Sequence, residues 1–244
     1  DLLKQLTFFR EGSRGAEGQI EWSRLETRPW ENPPVSSIEE LLLSLAQNPS
    51  VIEAILTVMG PDVFLRNIDV FWKDPVPWAW AKNAPWAPRE EIDWHCDEPT
   101  SESSDQVGTL WLALTDAEPM SGGIVYRPGS HRTPLRKPVT ETDGLSFDEE
   151  QLDDIQNTPE WFPSLDPGEG LLHEGNIVHR SSSNRSLYPR VGIAFRFANG
   201  TLSSDMAGAS AGLLLSGSMG KDIQKRIRVP IQWWHTDESL SGDR

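Results

Sequence analysis

Two helical patterns open the periodic part of the chain. Ser37, with Glu40 three residues on and Leu41-Leu42-Leu43 behind it, has the form of a capping box. Ser50 with Glu53 ahead of Ala54-Ile55-Leu56 has the same form, and its run stops at Gly60. Beyond them the period changes. Short apolar runs bounded by Pro, Gly, Asn and Asp follow at Arg66–Trp72, Val107–Leu114, Gly123–Tyr126, Gly170–Leu172, Asn176–His179 and Val191–Phe197, which predicts the strands of a sandwich or barrel. Ahead of the helices, Glu11 to Pro34 mixes Gly, Pro and charge with two Trp and holds no period; it reads as irregular, with one short strand at Gln19–Trp22.

Two long insertions interrupt the strands. Lys73 to Asp93 carries Trp78, Trp80 and Trp86 among four prolines, and fits a lid or aromatic wall beside a pocket as well as it fits a satellite core under a long loop. Arg132 to Pro167 contains the start of a short helix near Ser146, with Glu149 three residues on. The tail from Gly200 to Gly220, rich in Gly, Ser and Ala around Leu213-Leu214-Leu215, leads into Lys221, Lys225, Arg226 and Arg228 and reads as a flexible covering segment. No repeat of fixed period is present, which argues against solenoids and propellers. At 244 residues the expectation is one domain: a core over about 60–200, helical support from 1–60 and the covering segment over 200–244.

Composition narrows the partners. The 22 Lys and Arg stand against 37 Asp and Glu, and the net charge of −15 repels phosphate backbones and anionic lipid, so neither nucleic acid nor membrane is expected as a partner. The acidity itself reads as a solubilising surface. No apolar run approaches the ~20 residues of a membrane span, and Asp1-Leu2-Leu3-Lys4 does not open a signal peptide. One cysteine, Cys96, forbids an internal disulfide; a reducing cytoplasm is the expected location.

The chemistry concentrates in two places. In Asp93-Trp94-His95-Cys96-Asp97-Glu98, an extended backbone directs His95 and Asp97 to one face and Cys96 to the other. An imidazole and a carboxylate so placed, joined by a second imidazole, form the set used by non-haem iron(II) oxygenases, although a lone H-x-D tripeptide is a weak signal. The second place is Gly170-Leu171-Leu172-His173-Glu174-Gly175-Asn176-Ile177-Val178-His179-Arg180-Ser181-Ser182-Ser183-Asn184-Arg185-Ser186, closed by Pro189-Arg190 and a strand. His173 and His179 share parity there, so both compete for the third ligand position.

This second segment resembles the phytanoyl-CoA dioxygenase family. Its distal iron-binding His, the Ser two residues later, its Asn-x-Ser turn and its Arg eleven residues after the His are matched by His179, Ser181, Asn184 with Ser186, and Arg190. Thr109 to Ala117, Ser121-Gly122-Gly123 and Arg127-Pro128-Gly129-Ser130-His131 resemble the family's central strand, Gly-bearing turn and P-G-S-H segment, so that the likeness runs from about Asn67 to Phe197. The resemblance implies a mainly β fold with flanking helices, a double-stranded β-helix or cupin-like jelly roll. It also implies Fe(II) on His95, Asp97 and His179, with 2-oxoglutarate and O2 as cosubstrates. Arg190 then takes the distal carboxylate of 2-oxoglutarate, Ser181 adds a hydrogen bond, and Trp111 walls the methylenes or serves as a core Trp. Lys73 falls where relatives carry a polar residue near the cosubstrate, but loop lengths differ here and it stays outside the set. Spacing to Arg190 selects His179 over His173.

The activity so implied is a dioxygenase that hydroxylates an unactivated C–H of a small molecule and releases succinate and CO2. An oxidative cyclase, desaturase or epimerase would share every one of these residues. Asp97 stands where related halogenases have Gly or Ala, which argues against halogenation. Rivals from other classes are a cupin-like metal-binding module without turnover, which loss of Arg190 or Asp97 would favour although neither is lost, and a zinc hydrolase, which gives no reason for Arg190 and Ser181 at their spacings. His131 and His235 read as hydrogen-bonded structural residues and Cys96 as packing. Substrate identity and oligomeric state leave no mark on the sequence.

Overall fold

A computed structural model, which describes residues 2–12, 22–27, 37–61, 63–76, 91–97, 106–132, 157–199, 213–216 and 233–235, places helices and sheet where the period changes. Three helices come early: α1 (Leu2–Gly12), α2 (Ser37–Ala46) and α3 (Pro49–Met59). The last begins ahead of Ser50. Asn48 is its cap, its side chain accepting from the Ser50 N–H at 3.0 Å with Pro49 next in line, because Pro has no N–H to satisfy there. Gly60 closes the helix at φ 75°, a conformation that favours glycine.

The strands are β1 (Trp22–Thr27), β2 (Val63–Lys73), β3 (Ile92–His95), β4 (Gln106–Ala113), β5 (Ile124–Tyr126), β6 (Gly170–Glu174), β7 (His179–Ser181), β8 (Arg190–Asn199), β9 (Leu213–Ser216) and β10 (Trp233–His235). They form two antiparallel sheets, a main one ordered β10-β1-β2-β8-β4-β6 with β9 also on β2, and a small one ordered β3-β7-β5. This is the jelly roll expected. The early strand is described over Trp22–Thr27, and the first residues of the expected Gln19–Trp22 fall outside those described. Likewise β9 and β10, from the expected covering segment, enter the main sheet as strands.

Strand β2 shows why the fold holds. Nearly every residue from Val63 to Lys73 is buried, since helices cover one face of the main sheet and the small sheet faces the other. A bulge between Leu65 and Asn67 shifts the phase, so Leu65 and Ile68 both join the helix-side core. That core packs Leu6, Leu42, Ile55 and Met59 of the helices against Ile68, Val70, Trp72, Val191, Ile193, Phe195 and Phe197. No single helix among the described residues is long and apolar enough to cross a membrane; α2 and α3 pass together, but they bend by 48° and bury this same face on the sheet.

Asn176–His179 is not a strand. Gly175 and Asn176 turn the chain, Ile177 N–H donates to the Glu174 carbonyl at 3.2 Å, and β7 begins only at His179. His173 and His179 therefore belong to different sheets. The Trp residues of the first insertion and the helix expected near Ser146 lie outside the described residues.

Candidate metal centre

Strand β3 stops at His95, and Asp97 sits in the bend beyond it, so its approach to His95 comes from the strand's end and not from continued alternation. His179 opens β7, directly opposite His95 in the ladder. The two imidazole centroids are 4.2 Å apart, and His179 Nε2 lies 3.9 Å from Asp97 Oδ1. One donor atom from each of His95, Asp97 and His179 falls within 4.8 Å of the others. Donors sharing an ion at ~2.1 Å lie roughly 3–4 Å apart, so small side-chain shifts close the set.

Hydrogen bonds fix which ring atoms face inward. His95 Nδ1 lies 2.8 Å from the Asp93 carbonyl and His179 Nδ1 3.0 Å from that of Ile177. A carbonyl only accepts, so each Nδ1 carries the proton and each Nε2 keeps its lone pair for a ligand. Burial pushes both rings down to about 4 against the pull of Asp97, and the neighbouring His179 adds to the effect at His95, so both are neutral near pH 7. Burial raises the Asp97 carboxyl, but Arg196, then His179 and His173, hold it well below the usual carboxylate range. Two neutral imidazoles and one carboxylate fit a ferrous ion.

The same cavity holds the other expected residues. Arg190, first in β8, is 2 % exposed; its Nη2 donates to the Gly122 carbonyl at 2.9 Å. Gly122 adopts φ 76°, and a Cβ there would meet the Ser182 carbonyl at 2.5 Å, so only glycine serves. The Trp111 ring lies 5.3 Å from the Arg190 guanidinium and spreads over Gly192, where a Cβ would fall 2.0 Å from the indole. Trp111 thus lines the cavity. Ser181 Oγ accepts from Lys73 Nζ at 2.8 Å, and Lys73 also donates to the Ser182 carbonyl at 2.7 Å. Lys73 pairs with Arg190 across β2 and β8, so that its ammonium stands behind Ser181, a residue that lines the cavity.

Turns outside the cavity set these positions. Asn184 is fully buried, its Nδ2 donating to the Lys73 and Tyr188 carbonyls and its Oδ1 accepting from Ser186, so the Asn-x-Ser turn locks Lys73 to the segment after His179. Ser130 Oγ accepts from Val178 N–H at 2.8 Å, and Asn176 donates to the His131 carbonyl, which ties the P-G-S-H turn to the entry of His179. His131 is therefore structural through its backbone. Cys96 is buried and outside the donor cluster, and the side chain of His235 lies outside those described.

The model of the phytanoyl-CoA dioxygenase (PhyH) family matches residues 34–192. The chain belongs to this family. Phytanoyl-CoA dioxygenase relatives are iron(II)- and 2-oxoglutarate-dependent oxygenases, the class that this donor set with Arg190 beside it fits. No curated protein matches. Among solved structures, EvdMO1 is similar at 19% identity and TM-score 0.58, with 82% of this chain covered; the chain spans 45% of EvdMO1. EctD from S. alaskensis with bound Fe is similar at 16% identity and TM-score 0.60, with 94% of this chain and 76% of that one covered. The 2-oxoglutarate-dependent epimerase SnoN from nogalamycin biosynthesis is similar at 18% identity and TM-score 0.56, with 82% and 72% covered. Within the phytanoyl-CoA dioxygenase fold, Thr109 and Arg196 join the site without a place in the expected set, and Lys73, set aside for its uncertain register, bonds to Ser181. Arg196 was signalled, because an Arg inside the apolar run Val191–Phe197 demands a buried partner.

Proposed function

We propose that this chain is a dioxygenase that hydroxylates an unactivated C–H of a small molecule, with release of succinate and CO2. The observation that carries the proposal is the meeting of His95, Asp97 and His179 in the cavity that also contains Arg190. Iron(II), bound with 2-oxoglutarate and O2, supplies the oxidative decarboxylation that activates oxygen. His95 and His179 offer Nε2 and Asp97 offers Oδ1. Arg190 takes the distal carboxylate of 2-oxoglutarate with its planar, permanently charged fork. Lys73 adds a second positive charge and orients the Ser181 hydroxyl, while Trp111 walls the methylenes. The carboxylate of Asp97 argues for hydroxylation over halogenation, and the single cysteine accords with a reducing cytoplasm.

A second reading keeps the same residues and ends in epimerisation, cyclisation or desaturation; the likeness to SnoN favours it. The test begins with anaerobic titration of the protein with iron(II) and 2-oxoglutarate, which is expected to give a weak visible charge-transfer band. Its absence from folded protein sinks the cosubstrate assignment. His179→Ala is expected to abolish iron binding and His173→Ala to leave it, although the His173 ring lies 5.0 Å from that of His179. A succinate-release screen over small metabolites then separates hydroxylation from the other outcomes by product mass.

A further inference from the structure

A charged side chain inside a buried strand is costly unless paired, and Arg196 and Asp69 are two such groups on the inner face of the main sheet. Arg196 of β8 and Asp69 of β2 are partners: Nε lies 2.9 Å from Oδ2, and Asn67 Nδ2 donates to the same oxygen at 3.0 Å. Asp69 is wholly buried. The guanidinium then reaches across to the other sheet, where its Nη1 lies 2.5 Å from Asp97 Oδ1. Thr109 donates its hydroxyl to the second oxygen, Oδ2, at 2.7 Å.

Register explains the convergence. Arg196 pairs with Asn67 on one side and with Thr109 on the other, so three adjacent strands present their side chains at one level of the sheet. Asp97, in a bend past the end of β3, has no ladder of its own. Its carboxylate is held from the opposite sheet. The oxygen bound by Arg196 is also the one that faces His179 Nε2.

We propose that Arg196, anchored by Asp69, is a positioning residue for the metal-binding carboxylate. With Thr109 occupying Oδ2, the brace presents Oδ1 alone to the ion, and the carboxylate loses little rotamer freedom when the ion arrives. The guanidinium also draws charge from the donor oxygen. Asp69 therefore influences the ion without touching it. The inference rests on Asp97 being a metal ligand, as read above.

The experiment measures Mn(II) binding by calorimetry and by the Mn(II) electron paramagnetic resonance spectrum, on the metal-free full chain and three variants. Arg196→Gln is expected to weaken Mn(II) about ten- to hundred-fold and to change the zero-field splitting. Arg196→Lys keeps the charge without the fork that spans both carboxylates, and is expected to recover only part of the affinity. Asp69→Asn is expected to weaken Mn(II) about three- to tenfold while the protein stays folded by circular dichroism. Mn(II) affinity and spectrum unchanged in folded Arg196→Lys and Asp69→Asn overturn the brace, and these two decide if Arg196→Gln does not fold. If the unsubstituted chain does not bind Mn(II), the metal centre itself is overturned, and the brace with it.

Discussion

The two faces of the main sheet come from the same strands, yet one stabilises the fold and the other spends stability on chemistry. Along β8, Val191, Ile193, Phe195 and Phe197 point to the helices, while Arg190, Gly192, Ala194 and Arg196 point to the cavity. The first set is apolar and close-packed, and each large side chain in it contributes ~1.5–3 kcal/mol by leaving water. The second set buries two guanidinium groups and leaves room over a glycine for an indole. Such a face is tolerated because its guanidinium groups have partners, Arg196 in Asp69 and Asp97 and Arg190 in the Gly122 carbonyl. The division teaches that alternate residues of one buried strand can answer to separate demands, because the pleat sends neighbours to opposite sides.

Substitutions on neighbouring residues should separate the two demands. The largest effect is expected from Phe195→Ala, fully buried on the helix side: a loss of ~3–5 kcal/mol in urea unfolding, with metal affinity of the folded protein unchanged. A large change in that affinity would mean the faces are not independent. Arg190→Gln should do the converse, weakening 2-oxoglutarate by ~2–3 kcal/mol in calorimetry while sparing iron. Gly192→Ala tests the boundary. Its Cβ would collide with Trp111, and a destabilisation of ~1–3 kcal/mol with weaker 2-oxoglutarate binding is expected; an unaffected protein would show that the indole has another place to go.

The smallest effect concerns pH. His95 and His179 have folded values of about 4 against 6.5 unfolded, so the unfolded chain takes up protons first as pH falls. The metal-free protein should hold this stability above pH 6.5 and lose it progressively as the pH drops toward 4. Replacing both histidines by Gln should flatten that decline in melting temperature, and a slope unchanged by the replacement would refute the linkage.

Much of this was readable beforehand, for physical reasons that differ from residue to residue. The helical period located α2 and α3, although the cap of α3 is Asn48 and not Ser50, and apolar runs located β2, β4 and β8, because these signals depend on residues close in the chain. His95 and Asp97 stand out by type and parity, and His179 and Arg190 by their resemblance to the family's motif. His173 and His179 do not share a strand, because two residues, Gly175 and Asn176, turn the chain and place the pair on different sheets. Lys73 was set aside because its neighbourhood depends on a register with β8 and on the buried turn at Asn184, neither of which is local.

The sequence by itself determined which side chains were available for chemistry and, where a strand runs without bulge or turn, which of them share a face, since the pleat and the helical turn are properties of the nearest few residues. Only the tertiary structure decided that the end of β3 would lie against β7, and that Arg196 would stand between Asp69 and Asp97. Those meetings depend on pairing strands far apart in the chain, where a shift of one residue would send every side chain to the other face.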